Sequence, residues 1–101
     1  MAPIIFTGSP ADAAARLKVI LAEMPRARII TARDDYIHVE FTSAVFRFVD
    51  DAEFFIEGPT REIHFRSASR SGRSDFGVNR ARMESIRGNF ERLSRLLFRR
   101  G

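Results

Sequence analysis

The chain reads as an α+β domain: a single layer antiparallel sheet of four to five strands with two helices packed on one face, in the order β-α-β4-α. Three observations predict it. Apolar residues recur at helical spacing in two stretches, 13–24 and 83–97. Between these stretches lie four runs rich in β-branched and aromatic residues, several with period-2 alternation. Short connections between those runs make neighbouring strands antiparallel hairpins. Two amphipathic helices suffice to cover one face of such a sheet, leaving the other partly polar.

Residues 3–6, PIIF, form a short edge strand that Thr7-Gly8 breaks. Ser9-Pro10-Ala11-Asp12 is a helix start, with Ser9 as N-cap, Pro10 where its missing N–H costs nothing, and Asp12 in the first turn. Ala13, Leu17, Ile20, Leu21 and Met24 share one stripe, and Pro25 ends the helix. Residues 27–33 and 36–42 are strands joined by Asp34-Asp35, a hairpin signal. In the second of them Ile37, Val39 and Phe41 share one face, while Tyr36, His38, Glu40 and Thr42 share the other.

The run from Val45 to Ile56 is long for one flat strand, and a bulge or bend is expected at Asp50-Asp51. Gly58-Pro59 turns the chain into a strand from Arg61 to Ser67. Its Ile63, Phe65 and Ser67 oppose Glu62, His64 and Arg66. After Arg66 the alternation gives way to a loop of Ser, Gly and Arg. Ser74, Asp75 or Asn79 caps the last helix, whose Met83, Ile86, Phe90, Leu93 and Leu97 form an apolar stripe interrupted by Gly88.

At 101 residues, 45% apolar and with ten phenylalanines, the chain is one domain (1–101) with a packed core. It has no cysteine, which excludes disulfides, thiolate metal sites and thiol catalysis. No apolar run approaches the roughly 20 residues of a membrane span. The N-terminus MAPIIFTGSP lacks signal-peptide regions, so the expected location is the cytoplasm, although a longer natural form could carry a leader.

Charge is uneven. Residues 1–65 carry a net −3 and residues 66–101 a net +7, and sixteen of the seventeen basic side chains are Arg. A basic half suggests an anionic partner, because guanidinium forks match phosphate and carboxylate. The plainer reading is an arginine-rich solvated helix face.

The chemistry concentrates in 66–80. Arg66, Arg70 and Arg73 alternate with Ser67, Ser69, Ser71 and Ser74, just ahead of a helix start, which are the parts of an oxyanion site. In that reading Arg66, Arg70 and Arg80 contact a small anionic ligand and Ser67 and Ser69 orient it. Asp50, Asp51, Asp75, Asn79 and His64 support them. The alternative is a non-enzymatic structural or protein-interaction module, in which Asp50, Asp51, Glu53 or Asp75 tie the arginines into an internal ion-pair network. There the partner is a protein or a second copy of the chain.

His38, His64 and Asp50-Asp51 match no metal-ligand spacing, so neither metal nor cofactor is expected. No G-x-S-x-G elbow supports a serine nucleophile, and nothing supplies an enzymatic substrate. Arg80, Arg82, Arg87, Arg92, Arg95, Arg99 and Arg100 offer charge without an aromatic platform, which disfavours nucleic acid as a partner.

Residues 66–82, within the stretch from Ile63 to Glu84, fit the pattern R-S-A-S-R-x-G-x-S-D-x-G-x-N-R-x-R, and the run Val49-Asp50-Asp51-Ala52-Glu53-Phe54 precedes them. Together they resemble the signature of domain of unknown function 1499, a bacterial and plastid family. The resemblance covers most of the chain and implies no activity. The chain departs from it in lacking a cysteine- and proline-containing N-terminal segment and in placing Arg73 where the family usually has an aromatic residue.

Overall fold

The computed structural model describes residues 2–70 and 76–98. The elements are β1 (Ile4–Ile5), α1 (Pro10–Glu23), β2 (Ala27–Ala32), β3 (Tyr36–Thr42), β4 (Val49–Glu57), β5 (Glu62–Ser69) and α2 (Phe76–Phe98). The five strands form one sheet in the order β1-β5-β4-β3-β2, antiparallel throughout. Strands β2 to β5 are a meander of hairpins, and β1 closes the far edge by pairing Ile4 with Ile63.

Local chemistry starts and stops these elements. The Ser9 hydroxyl accepts the Asp12 N–H at 3.1 Å from an extended backbone, with Pro10 in the first turn. Such a cap is worth about 1 kcal/mol. Met24 is again extended, and Pro25 prevents another turn. The β4–β5 turn closes through the Arg61 N–H on the Gly58 carbonyl at 3.2 Å, with Arg61 in the left-handed region at φ 55°. A Cβ at Gly58 would meet the Pro10 ring at 3.1 Å, so glycine lets this turn sit close to the start of α1.

Alternation along the strands builds the core. Ile37, Val39 and Phe41 of β3, Ala52, Phe54 and Ile56 of β4, and Ile63 of β5 join Ala13, Ala14, Leu17, Ile20 and Leu21 of α1 in one cluster. Met83, Ile86 and Phe90 of α2 complete it, with Ile4 and Phe6. The predicted stripe of α2 fades toward its end: Leu93 is partly buried and Leu97 is exposed. Arg16 is the unexpected member of the α1 face. It is buried, donates to the Thr7 carbonyl at 3.1 Å and to Ser94 Oγ at 3.4 Å, and lies 5.2 Å from the Phe90 ring centre. Burial lowers its pKa against the opposing pull of Asp12.

The break expected at Asp50-Asp51 falls elsewhere. Strands β3 and β4 keep continuous register from Tyr36↔Phe55 to Thr42↔Val49. The chain turns earlier, at 43–48, where the Ser43 N–H meets the Phe48 carbonyl and the Phe48 N–H meets Ser43 Oγ, each at 2.9 Å. A register shift occurs instead between Ile29 and Thr31 in β2. Two adjacent acids need no bend, because period 2 sends Asp50 and Asp51 to opposite faces, each toward its own arginine. Strand β5 also runs to Ser69, three residues beyond Arg66, since Ser67 and Ser69 continue the inward alternation. Helix α2 is already under way at Asn79. The alternative caps Ser74 and Asp75 lie outside the described residues. Among the described residues no helix is long and apolar enough to cross a membrane.

Candidate functional site

The face of the sheet opposite the core carries a ladder of polar side chains fixed by register. Arg28, Glu40, Asp51 and Ala68 form one cross-strand row. Thr31, His38, Glu53 and Arg66 form the next, then Tyr36, Phe55 and His64, and finally Glu57 and Glu62. These rows hold five carboxylates against the guanidiniums of Arg28, Arg66 and Arg70.

Arg70 follows β5 and its side chain turns back across this face. Its Nε donates to Asp51 Oδ2 at 2.8 Å and its Nη2 to Asp51 Oδ1 at 2.9 Å, a two-pronged fork. Nη2 also reaches Glu40 Oε2 on β3. His38 Nε2 stands 2.8 Å from the same Asp51 Oδ1. One row down, Arg66 Nε donates to Glu53 Oε1 at 2.7 Å, and the Tyr36 hydroxyl donates to Glu53 Oε2 at 2.5 Å. The Tyr36 ring rests 5.4 Å from that of Phe55.

Titration follows these contacts. The Arg70 fork, with help from His38, holds the Asp51 carboxyl below its usual range despite partial burial. The Tyr36 hydroxyl, then Arg66, lowers Glu53 in the same way. Glu53 in turn raises the Tyr36 phenol. Asp51 and Glu40 raise the Arg70 guanidinium.

The other half of the motif works on the opposite side of the sheet. The Ser67 hydroxyl donates to Asn79 Oδ1 at 3.1 Å. Arg82 Nη1 donates to Asn79 Oδ1 at 2.8 Å and to Asp50 Oδ2 at 3.2 Å, with its guanidinium 4.4 Å from the Phe41 ring centre. The Arg82 and Asp50 side chains are only 13% and 17% exposed, so this pair is the most shielded ion pair among the described residues. Ser69 is opposite Asp50 in the ladder.

The residues singled out from the sequence are therefore divided. Arg66, Arg70, Asp51 and His64 lie on the open face, whereas Ser67, Ser69, Asp50 and Asn79 lie toward α2. Arg80 is exposed on α2, and Asp75 lies outside the described residues. Two open grooves, of about 480 and 420 Å3, lie on the helix side. Neither is lined by Arg66, Ser67, Ser69, Arg70 or Arg80.

Sequence reasoning missed Glu40, Tyr36 and Arg82 as partners. The first two were findable, because the alternation of β3 puts them on the polar face. With β3 and β4 in hairpin register, Glu40 faces Asp51. Both histidines reach that polar face, but far apart in partners: His38 meets Asp51, and His64 stands between Glu57 and Glu62. That last trio is the described cluster able to hold a metal ion.

A family model described as "Protein of unknown function (DUF1499)" matches residues 1–90. No curated protein and no solved structure matches the chain.

Proposed function

Since the chain belongs to the DUF1499 family, whose description carries no activity, we propose from the geometry that it is a non-enzymatic interaction module with an internal ion-pair network at its centre. The observation that carries this reading is Arg70, held by carboxylates of two neighbouring strands, Asp51 and Glu40. A guanidinium already forked onto a carboxylate has little left to offer a phosphate, which would first have to displace that carboxylate. The network instead links β5 through β4 to β3 and stiffens an open face with an excess of carboxylates. Such a face suits a protein partner with a basic surface, including a second copy of the chain, because complementary charge sets register and suppresses wrong partners. Nucleic acid, which is anionic, does not suit it.

The anion-site alternative makes the opposite prediction in one experiment. Thermal melting of the parent chain and of Arg70→Ala is followed with and without inorganic phosphate, at matched ionic strength. A network gives a lowered melting temperature in Arg70→Ala and no phosphate-specific shift in the parent. A saturable phosphate stabilisation that Arg70→Ala abolishes, with melting otherwise unchanged, refutes the network.

A further inference from the structure

At the turn end of the β4–β5 hairpin, Glu57 and Glu62 are directly opposite each other in the ladder. Like charges so placed repel. His64, two residues along β5 and on the same face, points its Nε2 between them, 3.4 Å from Glu57 Oε2 and 3.5 Å from Glu62 Oε1. Both distances exceed the roughly 2.9 Å of a well-made N–H···O bond. They approach another geometry, with the Glu57 and Glu62 ligand oxygens within 4.8 Å of each other. Ligand atoms about 2.0–2.1 Å from a tetrahedral zinc ion stand about 3.3–3.4 Å from one another, whereas the octahedral shell of magnesium brings neighbours to about 2.9 Å.

We propose that Glu57, Glu62 and His64 bind one zinc ion, with the fourth position open to solvent. One ligand atom from each side chain already falls within 4.8 Å of the other two, and rotation of these half-exposed side chains closes the remaining gap. Zinc takes both imidazole nitrogen and carboxylate oxygen, and its open sites keep three protein ligands beside a free position. The surroundings orient it as well. Thr60 Oγ1 donates to Glu57 Oε2 at 3.1 Å, the oxygen that faces His64. The turn between the two strands is held by the Arg61 N–H on the Gly58 carbonyl, and Arg61 Nη1 donates to the Gly8 carbonyl at 2.6 Å. The ligands therefore project from a braced hairpin. The cation converts their mutual repulsion into cross-strand attachment. This site shares no residue with the Arg70 network, so either reading stands or falls alone.

The test is calorimetric titration of the chelator-stripped chain with zinc chloride, with thermal melting in parallel. One zinc per chain binds saturably and raises the melting temperature, while magnesium chloride does neither. His64→Ala abolishes the binding, and Glu57→Gln and Glu62→Gln each weaken it at least about tenfold. Thr60→Val weakens it about tenfold through loss of ligand orientation. Circular dichroism confirms that each variant remains folded. The proposal is overturned by the absence of saturable zinc uptake in the parent chain. It is equally overturned by uptake that survives unchanged in His64→Ala and both glutamine variants, since the ion then sits elsewhere.

Discussion

Asp51 shows how one side chain sets a pH dependence. Its folded pKa is depressed, first by the Arg70 hydrogen bonds and then by His38. A depressed carboxyl pKa favours the charged form in the folded state. The stabilisation is therefore complete at neutral pH and above the unfolded value of about 3.9, and it is lost as pH falls through the folded value. Glu53, lowered by Tyr36 and Arg66, adds to the same acid limb. Asp51→Asn should cost about 1–2 kcal/mol at pH 7, between the small value of exposed pairs and the larger one of buried pairs. The gap between parent and variant should narrow as the pH is lowered toward 3. Urea midpoints across that range check it, and a gap that does not vary with pH excludes the fork as its cause.

At the scale of elements, much was legible because the signals are local. Ser9-Pro10 and Pro25 bracket α1, and the alternation of residues 36–42 reproduces β3 residue for residue. Asp50-Asp51 misled, since a pair of acids looks like a break in a strand until the opposite face is known to supply Arg82. Arg16 was missed because an arginine on an apolar stripe is normally assigned to its edge, and only the stacking with Phe90 brings it inside. Gly88 offers an element-scale test. A Cβ there would meet nothing within 4 Å, and the residue lies inside α2. Gly88→Ala removes unfolded-state freedom without a clash and should raise stability by about 1 kcal/mol. An unchanged or lower urea midpoint would show that α2 is not continuous through this point.

For the whole molecule, part of the arginine and part of the phenylalanine content are accounted for together. Arg16 stacks on Phe90, Arg82 on Phe41 and Arg87 on Phe65, at 5.2, 4.4 and 6.0 Å from the ring centres. Arg87 also donates to the Pro3 carbonyl at 3.0 Å, tying the segment before β1 to α2. Arg82 and Arg87 join helix to sheet and Arg16 joins the two helices, whereas a basic stripe read from the sequence suggests a solvated face. The difference was not legible because it depends on which strand lies under each turn of helix, a matter of tertiary register. The candidate site was half legible for the same reason: alternation already set Ser67 opposite Arg66, but placing Ser69 and Arg70 on opposite faces requires β5 to extend to Ser69. Arg82 tests this linkage, since it bridges α2, through Asn79, to Asp50 on β4 in shielded surroundings. Arg82→Ala leaves Asp50 without its cation and removes the stacking on Phe41, a loss of about 2–3 kcal/mol. Arg82→Lys keeps the charge but neither the planar stacking on Phe41 nor the guanidinium geometry that reaches Asp50 and Asn79 together, and should recover less than half of that loss. Arg66→Ala, which removes a mostly exposed partner of Glu53, should cost no more than about 1 kcal/mol. Denaturant unfolding of the three variants ranks them, and Arg66→Ala proving as damaging as Arg82→Ala would mean that the open face, not the sheet–helix seam, holds the molecule together.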